Sequence, residues 1–186
     1  MNRLSISTLP LAGLTLIERR HISDDRGYLS RIFCEKELAL VGWKNSISQI
    51  NHTYTQKIGT VRGMHFQTGP FSEMKLVSCL RGEICDIAVD LRKDSSTFLK
   101  WHAEILSLSN QKALLIPEGF AHGFQAMSDD CELLYLHSKP HKPTAEAAIN
   151  PRDPMINIKW PLEITAISER DDSHPMLPSE FKGIAI

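Results

Sequence analysis

Several features that mark membrane and nucleic-acid-binding proteins are missing from this sequence. Among its 186 residues, no apolar run reaches the roughly 18 residues that a membrane span needs. The weak apolar run at the start is not followed by a cleavage site of small residues, which argues against a signal peptide. The formal net charge is −1 and no basic block occurs, so neither nucleic acid nor an acidic membrane is expected as a partner. A local anion site, which needs a few cations, stays open.

Cysteine is scarce and irregularly spaced. The chain has four cysteines, and no two of them form a CxxC pair. This pattern is typical of small core residues in a reducing compartment, rather than of a disulfide framework or a zinc site. We therefore expect a cytosolic protein with free thiols at Cys34, Cys79, Cys85 and Cys131.

Regular helices are nearly missing from the predicted secondary structure. Short runs rich in β-branched residues follow one another, with turn residues about every ten positions. Residues 3–20 predict one edge strand, residues 21–27 a turn, residues 28–33 a strand and residues 35–41 a short helical piece. The clearest signal spans residues 75–91, where two apolar runs flank Arg81-Gly82 and predict a hairpin. The proline-rich tail predicts little regular structure.

Many short strands with almost no helix predict an all-β fold, either a sandwich or a barrel. A jelly roll is the favoured closure for about eight to eleven strands, because its two sheets leave a roomy interior. The length of the chain suits one domain over residues 1–186, with its core at about 20–175. Polar side chains on inward faces would then point into the mouth of the barrel, where small ligands bind.

The segment RGMHFQ, which begins at Arg62, concentrates chemistry-bearing side chains in a strand-like run, and Lys75 follows closely. Alternation along an extended strand places Arg62 on one face and His65 on the other, unless Gly63 carries a bulge. Two half-buried strands with satisfied polar groups are the structural alternative. No catalytic metal is expected, because His65 has no His-x-His companion and His122 is single.

Five side chains supply the parts of a proton-transfer site without a metal. A neutral histidine oriented by a carboxylate is a general base near neutral pH. A lysine stabilises a developing oxyanion, and a tyrosine can donate a proton from another direction. These parts can remove a proton beside a carbonyl and return one to the opposite face, which is epimerisation. Residue types alone do not place the five together. They are His65, Lys75, His122, Tyr135 and Asp171.

Eight segments occur in an order and at spacings that resemble a known family. They are DDRGY (24–28), SQINHT (48–53), GTVRGMHFQ (59–67), MKLVSCLRGEICDIAVDLRKDSSTF (74–98), IPEGFAHGF (116–124), ELLY (132–135), INIKWPL (156–162) and ISERD (167–171). The family is that of the dTDP-4-dehydrorhamnose 3,5-epimerases, and the resemblance runs from about residue 20 to 175. The most specific piece is IPEGFAHGF together with VDLRK.

The resemblance implies a role for each matching residue. His65 matches the catalytic base, and Asp171 matches the aspartate that orients and charges it. Tyr135 matches the proton-donating tyrosine, and Lys75 the lysine that stabilises the enolate. The second pocket histidine corresponds to His122.

The resemblance also implies how the substrate is held. Arg62, Gln49 and Asn51 match positions that bind the sugar nucleotide, chiefly its diphosphate end. Arg26 matches an arginine that can serve the site of a neighbouring subunit. Members of the family are cupin-type jelly-roll homodimers that use no metal or cofactor, and we expect the same of this chain.

Structural interpretations stay open for several of these residues. Asp171 can be a surface residue in a charged turn, and Tyr135 a core aromatic. Arg26 can pin the turn before it, and His122 can be a satisfied core histidine. Five other histidines are assigned no role beyond a solvated or structural one: His21, His52, His102, His137 and His174.

Three departures from the family pattern lie on the nucleotide side. Arg31 stands where an acidic residue is common, and Pro140-His141 replaces a pair of tyrosines. The loop before Lys75 reads GPFSEM instead of a glycine-rich approach. The chemistry is therefore expected to be kept, while the nucleotide and the sugar stay open. Competing hypotheses are an epimerase acting at carbon 3 or carbon 5 alone, a ketoisomerase, a non-catalytic sugar-binding cupin and a metal-dependent cupin oxygenase.

Overall fold

The structure, a computed structural model, describes residues 3–44 and 46–186. Within these residues the chain is built mainly of strands, which confirms the all-β prediction. No helix among them is long and apolar enough to cross a membrane. In chain order the strands are β1 (Leu4–Thr8), β2 (Thr15–Arg19), β3 (Ile22–Asp24), β4 (Gly27–Leu29), β5 (Gln49–Thr55), β6 (Val61–Gln67), β7 (Lys75–Arg81), β8 (Glu83–Asp90), β9 (Trp101–Ser107), β10 (Lys112–Ile116), β11 (Phe120–Ala126), β12 (Cys131–His137) and β13 (Glu146–Ala148).

The helical pieces are short. Helix α1 spans Glu35–Leu38 and continues as a 3-10 turn at Ala39–Val41, as predicted for residues 35–41. A second 3-10 turn at Gly69–Phe71 precedes β7. Helix α2 spans Glu169–Asp172, inside the tail that was predicted to be irregular. The Ser168 hydroxyl caps α2 by accepting a hydrogen bond from a backbone N–H of its first turn.

Two large antiparallel sheets form the body of the molecule. The first has the strand order β1-β2-β10-β7-β12-β5, and the second has the order β13-β6-β11-β8-β9. From β5 to β13 the chain changes from one sheet to the other at every step except between β8 and β9. This repeated crossing is the topology of a jelly roll.

The apolar core lies between the sheets, and each outer face is covered as well. Val77, Leu114 and Phe124 are buried in the central cluster. Trp43, which follows α1, belongs to the cluster on the outer face of the first sheet. The tail covers the outer face of the second sheet through residues such as Ile156. Strand β8 is buried on both faces beyond Glu83, and most of its sequence is apolar, with Asp86 and Asp90 as buried acidic residues.

The hairpin predicted at Arg81-Gly82 is wrong. Strand β7 pairs with β10 and β12, whereas β8 pairs with β9 and β11. The chain turns at Gly82, whose φ is 73°, and crosses to the other sheet. A Cβ at Gly82 would lie 2.7 Å from Ser128 Oγ, so the turn is packed too tightly for a side chain. A tight crossing and a hairpin require the same pattern of two buried strands around a glycine.

The N-terminal region also differs from the prediction. Residues 3–20 form two strands instead of one, and β2 lies inside the sheet while β1 forms its edge. Residues 21–33 were predicted to be a turn and a strand, but they contain the β3–β4 hairpin, which pairs with neither large sheet. We call this hairpin the arm. Its apolar side chains Ile22, Tyr28 and Leu29 are exposed.

Candidate active site

A cavity of about 450 Å³ opens between the two sheets, and it is lined by side chains of β5, β6, β7, β11, β12 and α2. It gathers residues that lie more than a hundred positions apart in the chain. The ninth predicted site residue, Arg26, does not line it. The eight that do are Gln49, Asn51, Arg62, His65, Lys75, His122, Tyr135 and Asp171.

Strand β6 carries a bulge at Gly63. Opposite β11, His65 pairs with His122 and Arg62 pairs with Phe124, so three steps along β6 match two along β11. Gly63 has a φ of 123°, and a Cβ there would lie only 2.6 Å from the Cα of Gly123. The bulge breaks the alternation, and Arg62 and His65 therefore line the same cavity.

His65 and Asp171 form a hydrogen-bonded pair. His65 Nε2 lies 2.9 Å from Asp171 Oδ1, and Oδ2 accepts a bond of 3.0 Å from the backbone N–H of Gly63. Burial by itself would raise the pKa of Asp171, but these hydrogen bonds outweigh it and lower the pKa to about 2. Because an ionised carboxylate can only accept, the Nε2 atom carries the proton and the lone pair lies on Nδ1.

His174 approaches the same carboxylate. Its Nε2 atom lies 3.4 Å from Asp171 Oδ1, and its ring meets the ring of His65 edge to face. Burial, followed by the charge on His65, lowers the pKa of His174, so the imidazole is held neutral. Sequence reasoning left this residue as solvated or structural. The structure places it beside His65.

His122 has a carboxylate partner of its own. Its Nε2 atom lies 2.7 Å from Asp86 Oδ1, and both side chains are buried. The second oxygen, Asp86 Oδ2, is buried and has no hydrogen-bond partner among the described residues. A buried aspartate in a mainly apolar strand, paired with a histidine of the neighbouring strand, is a signal for function. Sequence reasoning missed this signal at Asp86.

Tyr135 projects from β12 into the cavity. Its ring lies edge to face with that of His122, at 5.9 Å between centroids, and nearly parallel to that of His137 at 6.1 Å. Burial, and then the negative charge of Asp86, raise the pKa of Tyr135. The phenol therefore stays protonated at neutral pH, as a proton donor requires.

Lys75 lies in a buried network of charges. Its Nζ atom is 3.4 Å from Glu73 Oε1 and 3.4 Å from the backbone oxygen of His65. The other oxygen, Glu73 Oε2, is 2.9 Å from His137 Nδ1. Burial alone would raise the pKa of Glu73, but the partners His137 and Lys75 lower it. Sequence reasoning missed Glu73 and His137, because only the fold brings the loop before β7 against the end of β12.

A polar group at the cavity rim occupies the side predicted to hold the diphosphate. Arg62 Nε donates to Thr55 Oγ1 at 3.0 Å, which holds the guanidinium against β5. The Gln49 amide donates to Asn51 Oδ1 at 3.0 Å. The backbone N–H of His141 donates to Gln49 Oε1 at 2.9 Å, so the altered position His141 borders this group.

The structure does not bring Arg26 to the cavity of its own chain. Arg26 lies at the turn of the arm, where its guanidinium forms an ion pair of 2.6 Å with Asp24. Its side chain is 89% exposed. This position suits either of the two interpretations drawn from the sequence, a pin for the turn or a group that serves another subunit.

The sequence matches a family model described as dTDP-4-dehydrorhamnose 3,5-epimerase over residues 8–179. A protein of that name from Sinorhizobium fredii is 39% identical over 194 residues, which cover 100% of this chain and 97% of that protein. One from Methanothermobacter thermautotrophicus is 41% identical over 164 residues, which cover 87% of this chain and 88% of that protein.

A solved structure with a similar sequence also has a similar fold. The dTDP-6-deoxy-D-glucose-3,5-epimerase of Legionella pneumophila, in complex with dTDP-4-keto-L-rhamnose, superposes with a TM-score of 0.90 at 34% identity. The match covers 98% of this chain and 99% of that chain. The predicted cupin-type jelly roll is thereby confirmed.

Proposed function

The chain belongs to the dTDP-4-dehydrorhamnose 3,5-epimerase family, and on that premise we propose that it inverts carbons 3 and 5 of dTDP-4-dehydro-6-deoxyglucose. The enzyme is an isomerase. One observation carries the proposal of mechanism. The His65–Asp171 pair, joined at 2.9 Å, lies in the same cavity as a protonated Tyr135 and the cation of Lys75.

His65 acts as the base in this proposal. The Nε2–H group points at Asp171, so the Nδ1 lone pair is the one available to take a proton from the carbon next to the ketone. The imidazolium that results is stabilised by the carboxylate at 2.9 Å. Asp171 is buried and ionised, and it therefore sets both the tautomer and the charge of the base.

Lys75 and Tyr135 complete each inversion. When the carbon loses its proton, negative charge moves to the ketone oxygen, and the ammonium of Lys75 stabilises this enolate. Tyr135 then transfers its phenolic proton to the other face of the same carbon. The proton removed resides on His65, and solvent restores both groups before the next inversion. The raised pKa of Tyr135 suits this role, because it keeps the phenol protonated at neutral pH.

The binding of the nucleotide is proposed from similarity to a relative and from the charge of the cavity. The Legionella pneumophila relative was crystallised with dTDP-4-keto-L-rhamnose, and we propose that this chain also takes a dTDP-linked sugar. Arg62 supplies a cation for the diphosphate, and Gln49 and Asn51 supply amide groups beside it.

We also propose that the chain works as a homodimer, in which the arm packs on the partner. A two-stranded hairpin that presents Ile22, Tyr28 and Leu29 to solvent is marginal by itself and is stabilised when a second surface covers it. In that arrangement Arg26 would reach the neighbouring site, where its charge suits a nucleotide diphosphate.

Two further proposals concern the setting of the enzyme. We propose that residues 1–186 act as one domain, because the family match runs from 8 to 179 and both large sheets line the cavity. A cytoplasmic location is proposed because all four cysteines are free.

Proton exchange in heavy water tests the function. Purified protein is given dTDP-4-dehydro-6-deoxyglucose, and carbons 3 and 5 are followed by NMR. We expect deuterium at both carbons with wild-type protein, and a loss of about a hundredfold or more with His65→Asn. His102→Asn is the matched control, because His102 does not line the cavity.

Each other outcome has a definite meaning. Exchange at one carbon would replace this proposal with a single-site epimerase. Exchange at neither carbon would rule out this substrate. A His65→Asn variant that exchanges at the wild-type rate would remove His65 from the role of base.

A further inference from the structure

Three side chains converge beside the cavity in a way that the proposed epimerase does not require. The atoms His65 Nε2, Asp171 Oδ1 and His174 Nε2 all lie within 4.8 Å of one another. Two of the separations are 2.9 Å, between His65 and Asp171, and 3.4 Å, between His174 and Asp171. The two imidazole rings stand at 87° to each other, so their nitrogen atoms face the same carboxylate from different directions.

Among the described residues, the Nε2 atom of His174 has no hydrogen-bond partner. It is buried, and Asp171 is close but does not meet hydrogen-bond geometry. Native proteins rarely leave a buried nitrogen unsatisfied, and those that do usually reserve it for another ligand or a function. None of the proton transfers proposed above uses His174.

The surrounding backbone holds these groups in place. The Asn150 side-chain amide donates to the backbone oxygens of Asp172 and His174, at 2.8 and 3.2 Å. The backbone N–H of Gly63 donates a hydrogen bond to Asp171 Oδ2. The other oxygen, Oδ1, therefore faces the rings of His65 and His174. Such outer contacts are the kind that orient metal ligands. The arrangement is therefore built before any ligand arrives.

We propose that His65, Asp171 and His174 form a binding site for a divalent transition-metal cation, with Zn²⁺ as its best fit, and that this cation inhibits the enzyme. Two imidazole nitrogens and a carboxylate oxygen are ligands that Zn²⁺ prefers. Ligand atoms about 2.0–2.1 Å from a tetrahedral ion are separated by roughly 3.3 Å. The separations of 2.9 and 3.4 Å from Asp171 Oδ1 to the two Nε2 atoms bracket that value.

Inhibition follows from the tautomer of His65 and rests on its proposed role as the base. A cation on Nε2 takes the lone pair of that atom and displaces its proton. The neutral ring then carries its proton on Nδ1, so no lone pair is left to accept a proton from the sugar. The cation also neutralises Asp171, which removes the charge that stabilises the imidazolium. The ion thus blocks the base without filling the cavity.

Metal binding is measured first and without substrate. Protein stripped with a chelator is titrated with ZnCl₂ by calorimetry, as wild type, His174→Phe and His102→Phe. Phenylalanine keeps a ring at position 174 but offers no ligand atom, and His102 is a half-buried histidine paired with Glu104 on β9. We expect one Zn²⁺ per chain in wild type and in His102→Phe, and at least about tenfold weaker binding in His174→Phe.

The proposed metal site is wrong if wild type binds no Zn²⁺, or if His174→Phe binds Zn²⁺ as tightly as wild type does. His174→Gln is the second variant, in case the first fails to fold. Thermal unfolding without metal shows whether each variant keeps the wild-type structure.

Activity is measured next, with and without Zn²⁺. We expect Zn²⁺ to slow wild type and His102→Phe at least about tenfold more than His174→Phe, and a chelator to restore the rate. Binding without inhibition would overturn the tautomer mechanism. A metal-free wild-type protein with no epimerase activity would overturn the proposed function instead, while the calorimetry would still decide the metal site.

Discussion

Asp171 shows how much one carboxylate contributes to this site. Its two oxygens are committed to different partners, one to His65 and one to the backbone of Gly63. Its own backbone N–H is held by the Ser168 hydroxyl at the start of α2. The residue therefore ties the tail to the bulge of β6 and orients the ring of His65 at the same time.

The lowered pKa of Asp171 predicts that Asp171→Asn is less stable than wild type at neutral pH, and that this difference shrinks in acid. The folded pKa of about 2 lies below the ordinary value of 3.8, so the charged carboxylate stabilises the folded state fully above pH 4. That contribution, about 2 kcal/mol, falls as the pH drops from 4 to 2. Urea unfolding from pH 7 to pH 3 should show the gap between wild type and variant closing. A gap that stays constant over this range would contradict the pKa.

Tyr135→Phe separates the acid from the base. With no phenolic proton to return, epimerisation should fall by about a hundredfold or more, while KM changes little. His65 still removes the proton, and solvent deuterium should enter without inversion. Tyr54→Phe is the control, because that tyrosine is exposed and pairs with Asp130 outside the cavity. If exchange and inversion in Tyr135→Phe fell by the same factor, the proton would come from another group.

At the scale of elements, the bulge in β6 decides which side chains meet. A regular strand would turn Arg62 and His65 to opposite faces, as alternation requires. The extra residue at Gly63 brings both to the cavity, and the close approach of Gly123 leaves no room for a side chain. The site therefore depends on the contact between two glycines on neighbouring strands.

Gly63→Ala should destabilise the protein and lower its activity. The new Cβ meets the Cα of Gly123 at 2.6 Å in a backbone conformation with φ of 123°, so we expect a loss of roughly 2–4 kcal/mol. Gly69→Ala is the matched control, because its φ is also positive but a Cβ would contact nothing within 4 Å. That change should cost only about 1 kcal/mol. Equal losses in urea unfolding would show that the contact with Gly123 is unimportant.

At the scale of the whole molecule, the arm is the part that the two sheets leave uncovered. It pairs with neither sheet, it exposes three large apolar side chains, and it carries Arg26 away from its own cavity. A second copy of the chain would cover the apolar side chains and receive the guanidinium. The proposed homodimer accounts for all three observations.

Mixed dimers test whether Arg26 serves the neighbouring site. Arg26→Ala and His65→Ala are each expected to be impaired alone. After joint refolding, half of the dimers are mixed, and in them one site of two combines an intact His65 with an intact Arg26. The mixture should regain about a quarter of wild-type activity. Activity equal to the average of the two separate variants would place Arg26 outside the neighbouring site.

Features set by residues close together in sequence could be predicted, whereas features set by contacts between distant residues could not. Alternation along β5 puts Gln49 and Asn51 on the same face, toward the cavity, because side-chain direction along a strand is local. The hairpin at Gly82 was wrong, because the choice of partner strand is made by contacts distant in sequence. His137 and His174 were left without a role for the same reason: Glu73 and Asp171 reach them only in the fold.

By itself, the sequence determined the all-β class, the strands that carry the site and the family, since these follow from local periodicity and from motifs read along the chain. The tertiary structure alone decided that β7 and β8 belong to different sheets, that the bulge brings Arg62 and His65 to one cavity, and that a second imidazole, His174, stands beside Asp171. The physical reason is that hydrogen bonds and ion pairs act over about 3 Å in space, without regard to separation along the chain.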